Sequence, residues 1–225
     1  MDNTELQEIF RNIGKKYKYD AVAAEFTAYK DFKVRWQRSY KWADFKVSDY
    51  LSDAPGRVIE GLVETLFTRI CIRDETSFSE EMCDWVTAPE FARTKQPIYL
   101  RRSRNITRSP EGEHRNLTDS YNRLIDAGLV EKDPDMFLSW TREPSIRKVG
   151  HCSVLMKVVS LSSALDNPEI PDFVTDYVMY HELCHTIMGF NPTTERNQKE
   201  FAELEALYPR QNEAEAWLRK LCMCL

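Results

Sequence analysis

The 225-residue chain lacks several features that define whole classes of protein. It has no apolar run long enough to cross a bilayer. Its N-terminus, MDNTELQEIF, is acidic and polar where a secretory leader is basic and then apolar. Glycine and proline are scarce, with 7 and 10 residues, whereas hydrophobic residues make up 42% of the chain. This composition argues against membrane, collagen-like and disordered proteins, and we expect a globular protein of the cytoplasm.

The cysteine content and the net charge also point to no special class of protein. The six cysteines are scattered, and only Cys222 and Cys224 are close in sequence, so we expect reduced thiols. The net charge of −5 gives no general attraction to nucleic acid. A local exception is the stretch 93–108, which is rich in Arg and Lys and contains no acidic residue. It predicts either a nucleic-acid contact or a solvated linker.

Two series of similar segments follow one another along the chain. Each begins with an amphipathic helix, continues through strand-like segments and reaches a long apolar helix. The matching segments are LQEIFRNIG with LTDSYNRLIDAG, Trp36-Gln37-Arg38 with Trp140-Thr141-Arg142, SDYLSDAP with SSALDNPEIP, and PEFA with KEFA. Their common order predicts a degenerate tandem duplication with halves 1–110 and 111–225. Two unrelated halves with similar amphipathic patterns are the alternative.

The motif His181-Glu182-Leu183-Cys184-His185 is the part of the sequence that predicts chemistry. Residues four apart share one face of a helix, so His181 and His185 could bind one ion with Glu182 beside them. Zinc would satisfy these polar groups and would lower the pKa of water, whose proton Glu182 would accept as general base. Two histidines that only hydrogen-bond within a core are the alternative.

The helix that carries this motif has recognisable ends. Its sequence, FVTDYVMYHELCHTIMGF, is apolar on nearly every side, which is typical of a buried helix. Asn167 is the expected N-cap, with Pro168 at the first helical position. Gly189 is the expected C-terminus.

The stretch from about Leu117 to Tyr208 resembles the zinc-dependent peptidases of the SprT-like family. The resemblance rests on a leading helix, on the strands LSWTR, IRKVGHCS and MKVVSLSSAL, and on the helix with the His-Glu-Leu-Cys-His motif. It implies an α+β, zincin-like fold with a small antiparallel sheet packed on the active-site helix. It also implies a Zn²⁺ cofactor bound by His181 and His185, Glu182 as the catalytic residue, and a protein or peptide substrate.

The third zinc ligand is open at the level of sequence. The family has a histidine four residues before the phenylalanine of a later helix; that phenylalanine is Phe201 here, and the position holds Asn197, a poor zinc ligand. A carboxylate could replace the histidine, and the candidates are Glu200, Glu203 and Glu205. Alternatively, two histidines bind the metal with water, or the scaffold has become a module that binds nucleic acid or protein. The corresponding positions of the first half hold Thr65 and Arg69, so no metal is expected there.

Overall fold

The computed structural model describes residues 1–72, 77–191 and 197–223, which form two units. The first consists of Met1–Phe91, and the second of Ala92–Phe190 with residues 197–223. Each unit combines helices with a small three-stranded sheet, so the α+β class is confirmed. Within these ranges, no helix is both long and apolar enough to cross a membrane. Cys224 lies outside the described residues, and the other five cysteines are free thiols.

The first unit places three strands between two helices in the chain and then adds one further helix and the start of another, which continues into the second unit. Its central strand, β3, is parallel to β1 and antiparallel to β2. The elements are α1 (Asn3–Lys16), β1 (Ala21–Thr27), β2 (Val34–Arg38), β3 (Trp42–Ser48), a 3-10 helix (Asp49–Leu51), α2 (Gly56–Ile72), α3 (Glu80–Thr87) and α4 (Pro89–Arg102).

Local sequence and aromatic packing explain how the first unit is built. Asp2 caps α1 in a capping box with Glu5, which satisfies amide groups that the helix itself cannot. Three phenylalanines join α1, β3 and α2: the ring centroids of Phe10 and Phe45 are 4.8 Å apart, and those of Phe45 and Phe67 are 5.3 Å apart. These rings form a buried core between the helices and the sheet.

The second unit has the same order of elements. Its central strand, β6, is parallel to β4 and antiparallel to β5. After α4, the elements are α5 (Leu117–Asp126), β4 (Phe137–Trp140), β5 (Gly150–Ser153), β6 (Val158–Leu161), a 3-10 helix (Ser163–Leu165), α6 (Asp172–Met188), α7 (Gln198–Glu205) and α8 (Gln211–Met223). Buried residues of β4, β6, α5 and α6 share one hydrophobic core.

The expectation of an antiparallel sheet was wrong, because the sheet of the second unit is mixed. A tight turn between β5 and β6 makes those two strands antiparallel. The long connection between β4 and β5 leaves a gap one strand wide between them. β6 fills this gap and runs parallel to β4.

The expected start of the long helix was also wrong. Asn167 accepts a hydrogen bond from the amide of Glu169 in a turn, and α6 begins only after Pro171. A proline disfavours helical backbone in the residue before it, so Pro171 keeps Ile170 out of the helix. The expected end is confirmed: Gly189 has a φ of 74° and its amide bonds to the carbonyls of His185 and Thr186.

The two units share strand order, strand directions and the position of the 3-10 helix, and the duplication stays a prediction. Ser48 and Ser162 each directly precede that 3-10 helix. Two of the sequence matches were wrong, however. Trp36 lies in the second strand of its unit and Trp140 in the first strand of its own. PEFA begins α4, whereas KEFA belongs to α7, whose counterpart by order is α3.

Candidate active site

Helix α6 carries the three residues of the predicted site. The imidazole rings of His181 and His185 have centroids 5.4 Å apart and an interplanar angle of 88°. His181 is half-buried and His185 is exposed. Glu182, the residue after His181, is only 7% exposed. The helix therefore presents the imidazole pair at the surface and directs the carboxylate into the unit.

Glu182 is buried as a residue, and no side chain or backbone amide of the described residues donates a hydrogen bond to its carboxylate. Loss of hydration raises its pKa from 4.5 to about 7, against the opposing effect of the nearby His181 and Lys148. A carboxyl group with such a pKa can accept and release protons near neutral pH. Because an unpaired buried carboxyl destabilises the fold, its presence is typical of a functional site.

A glycine makes room for this carboxylate. Gly150 begins the edge strand β5, and a Cβ atom there would lie 2.3 Å from Glu182 Oε1 and 2.7 Å from Glu182 Cγ. Cys152, two residues further on the same face of the strand, is also near Glu182. Burial, followed by the charge of Glu182, raises the pKa of its thiol to about 12. A side chain at position 150 would displace Glu182.

A second carboxylate, from α7, holds the ring of His181. Nδ1 of His181 lies 2.6 Å from Oε1 of Glu205. The hydroxyl of Tyr177, one helical turn before His181, donates to the same oxygen at 2.7 Å. If the neutral ring donates from Nδ1 to this carboxylate, the lone pair of Nε2 remains for an ion. Metal-binding histidines typically have such a carboxylate partner.

This hydrogen-bonded chain continues to the C-terminal helix α8. Oε1 of Glu215 lies 3.2 Å from the Tyr177 hydroxyl and accepts a hydrogen bond of 3.0 Å from Gln211. Arg219 donates to the other oxygen of Glu215 at 3.2 Å. Neither Gly150 nor Tyr177 was predicted from the sequence. A signal for Tyr177 exists, since it lies four residues before His181 on one helix face.

The candidates for a third ligand occupy different environments. Asn197 is the N-cap of α7, and its Oδ1 accepts from the amide of Glu200 at 3.3 Å. Glu200 and Glu203 are exposed, and Glu203 lies 3.8 Å from the ammonium group of Lys199. Glu205 alone of the four reaches the histidine pair, where it bonds to Nδ1 of His181. In the structure it contacts the ring of His181.

Phe201 covers the imidazole pair on the side of α7. Its ring centroid lies 4.6 Å from that of His185 and 5.3 Å from that of His181. The ring is half-buried and belongs to the surroundings of the core. It restricts the movement of both imidazoles and shields them in part from water.

The distance between the two imidazole rings is the one that two imidazoles sharing a zinc ion would have. Two imidazoles bound to one tetrahedral zinc at about 2.0–2.1 Å have ring centroids about 5.3 Å apart, and the observed distance is 5.4 Å. Imidazole nitrogen is a preferred zinc ligand. Across residues 1–72, 77–191 and 197–223, no group of three or more His, Cys, Asp or Glu side chains could hold a metal.

The basic stretch 93–108 is largely helical, because α4 extends to Arg102. Three of its cations already contact the second unit itself. Arg93 forms an ion pair with Asp135 at 3.0 Å, Lys95 is buried, and Arg108 donates to the carbonyl of Leu100. These contacts weaken the case for this stretch as a nucleic-acid site.

The first unit has no counterpart of the imidazole pair. Thr65 and Arg69 are the tenth and fourteenth residues of α2, the positions that His181 and His185 occupy in α6. Thr65 is buried, and its hydroxyl donates to the carbonyl of Gly61. All 4 histidines of the chain lie in the second unit.

Comparison of the chain with known proteins found no match among family models, curated proteins or solved structures. The resemblance to SprT-like peptidases therefore stays a prediction that rests on the residues themselves.

Proposed function

We propose that the second unit is a zinc-dependent peptidase in which Glu182 is the general base. The observation that carries this proposal is the Glu182 carboxylate, which is buried beside the imidazole pair with a raised pKa and no hydrogen bond within the described chain. A glutamate with a purely structural role would be exposed or paired. Gly150 keeps the space that this unpaired carboxylate needs.

Each residue has one part in the proposed reaction. His181 and His185 hold the ion, and Glu205 fixes the ring of His181. Zinc, when bound, supplies a Lewis acid that lets water lose a proton near neutral pH. Glu182 accepts this proton as the water oxygen bonds to the peptide carbonyl carbon. It returns the proton to the amine nitrogen as the C–N bond breaks.

The class of substrate is supported by the motif and by its exposure. Two histidines four apart on a helix with an intervening glutamate are typical of metallopeptidases. His185 is exposed, so a substrate could approach the imidazole pair from the surface of the unit. A buried pair would admit only small molecules.

Metal content and proteolysis measured on the same preparations test the proposal. After dialysis, elemental mass spectrometry should find close to one zinc per chain in the wild type and in Glu182→Gln. It should find none in His181→Ala. A fluorescein-labelled unfolded protein should be cleaved by the wild type only. Zinc-loaded wild type without cleavage, or equal cleavage by Glu182→Gln, would contradict the proposed mechanism.

A second candidate function is a metal-free module that binds protein or nucleic acid on the same scaffold. It is favoured by Asn197 and Glu205, because the first caps α7 and the second bonds to His181 rather than completing a ligand set. Wild type that retains no zinc and cleaves nothing would support this function in place of the peptidase.

A further inference from the structure

The β2–β3 hairpin of the first unit carries a cluster of exposed aromatic side chains. Trp36, Tyr40 and Trp42 are 48%, 89% and 44% exposed. They are three of the six large hydrophobic side chains exposed within the described ranges. Single exposed apolar residues are ordinary on protein surfaces, but three exposed aromatic rings within seven residues of one hairpin are unusual, and concentrated apolar exposure is typical of interaction sites.

Basic side chains alternate with these rings. Residues 33–42, KVRWQRSYKW, contain four basic residues, three aromatic residues and no acidic residue; we call them the aromatic hairpin. Lys33 and Arg35 lie over the ring of Tyr29 at 4.8 and 5.6 Å. Arg38 donates to the hydroxyl of Tyr19. The chain as a whole carries −5, so the hairpin is a cationic exception.

Most of these cations pair with no carboxylate of the residues that the structure describes. Among the described residues, Lys41 is the one of the four that pairs with a carboxylate, that of Asp20 at 2.9 Å. Both side chains of that ion pair are exposed, so Lys41 can readily exchange Asp20 for another anion. The hairpin therefore offers positive charge to a ligand at little cost in lost ion pairs.

The register of the strands shows where the rings stand. β2 is the edge strand of its sheet, and Trp36 is opposite Phe45 on β3. Side chains alternate between faces, so Trp36 and Arg38 share one face, whereas Arg35 and Trp42 belong to the other. Tyr40 lies between the two strands, at the tip. Each face and the tip thus present a ring beside a cation.

Protection against edge-to-edge pairing explains only part of this arrangement. Edge strands are commonly charged so that other strands cannot add to them, which accounts for the arginines of β2. It does not account for the rings, because exposed aromatic residues on an edge favour association. The rings require a different explanation, and a ligand that uses both flat apolar surfaces and positive charge supplies one.

We propose that the aromatic hairpin binds single-stranded nucleic acid. Phosphates would contact Lys33, Arg35, Arg38 and Lys41, and unpaired bases would stack on Tyr40 and on the exposed tryptophans. An acidic peptide would use the cations but has no need of the rings. Duplex nucleic acid hides its base faces. β2 has five residues and is roughly 16 Å long, which matches a few nucleotides.

Fluorescence anisotropy of a labelled oligothymidine, titrated with the full-length chain at several salt concentrations, tests this proposal. With four cations engaged, the logarithm of the binding constant should fall with a slope of about −3 against the logarithm of salt. Tyr40→Ala should weaken binding about 5- to 100-fold, because it removes a stacking surface. Arg35→Gln with Arg38→Gln should reduce the slope by about 1.4.

Matched controls make the outcome specific to the hairpin. Leu207→Ala removes an exposed apolar side chain elsewhere, and Arg101→Gln with Arg104→Gln removes two exposed cations of the stretch 93–108. Both controls should bind like the wild type, and circular dichroism should show all variants folded. Absence of binding at low salt overturns the proposal. So does equal binding of polyglutamate, which would assign an acidic peptide, or a loss caused by the Arg101 and Arg104 substitutions.

Discussion

Glu182 provides a test of the site that needs neither metal nor substrate. Its pKa is 4.5 in the unfolded chain and about 7 in the folded protein, so between these values the folded protein binds more protons. Stability contributed by this group is therefore lost as pH rises through that window. In the metal-free protein, Glu182→Gln should be more stable than the wild type by up to about 3 kcal/mol above pH 7. The difference should vanish below pH 4.5.

Urea unfolding of both proteins across this pH range measures the difference directly. Glu203→Gln is a suitable control, because Glu203 is an exposed glutamate of the same unit. A difference that stays constant with pH would mean that Glu182 is ionised in the folded protein. The raised pKa would then give no support to its role as general base.

Glu205 should act on His181 whether or not metal is present. In the metal-free protein, the hydrogen bond of 2.6 Å should hold the ring in the Nδ1–H form, which ¹⁵N NMR of the imidazole reports. Glu205→Ala should remove that preference and weaken zinc binding about 10- to 100-fold. Glu205→Gln keeps a carbonyl acceptor and should restore the ring form, but only part of the affinity.

The imidazole spectrum and the zinc affinity together separate the positioning role of Glu205 from the existence of a zinc site. Glu203→Ala, in the same helix, should change neither the ring form nor the affinity. An unchanged imidazole spectrum in Glu205→Ala would contradict the positioning role even if zinc binds. A changed spectrum without zinc binding would keep that role and reject the zinc site.

At the scale of elements, the position of Asn197 at the start of α7 gives it the role of a helix cap. Its side chain satisfies an amide at the first turn of the helix, so Asn197→Ala should lower the free energy of unfolding by about 0.5–2 kcal/mol. Zinc content should not change. Asn197→Asp, which still caps, should recover the stability. Thermal unfolding with elemental analysis checks both, and a loss of zinc in the alanine variant would make Asn197 a ligand after all.

Helices were easier to predict from the sequence than strands or long-range contacts. The period of apolar residues gave α1, α5 and α6 to within a few residues, and Gly189 gave the end of α6, whereas Pro171 delayed its start. β1 was missed because AVAAEFT is rich in alanine, although its buried residues alternate. The spacing of His181 and His185 is local and could be predicted. The role of Glu205 could not, since it depends on where α7 crosses α6.

At the scale of the whole molecule, one topology serves two chemically different units. Both have a mixed sheet with its third strand in the centre and a 17-residue helix after it. The second unit has a glycine at the start of its edge strand and histidines on the helix, whereas the first has tryptophan on its edge strand and Thr65 and Arg69 on the helix. The scaffold alone therefore does not specify the chemistry of a unit, because the residues placed on it differ.

This difference predicts that zinc will protect the two units unequally. A ligand stabilises the states that bind it, so local opening around α6 becomes rarer when zinc is bound. Hydrogen exchange followed by mass spectrometry should show slower exchange in α6, α7 and β5 on adding zinc. Exchange in α2 and β2 should stay unchanged, because the first unit contains no histidine. His181→Ala should abolish the effect. Equal protection of α2 would contradict the assignment of the metal to His181 and His185.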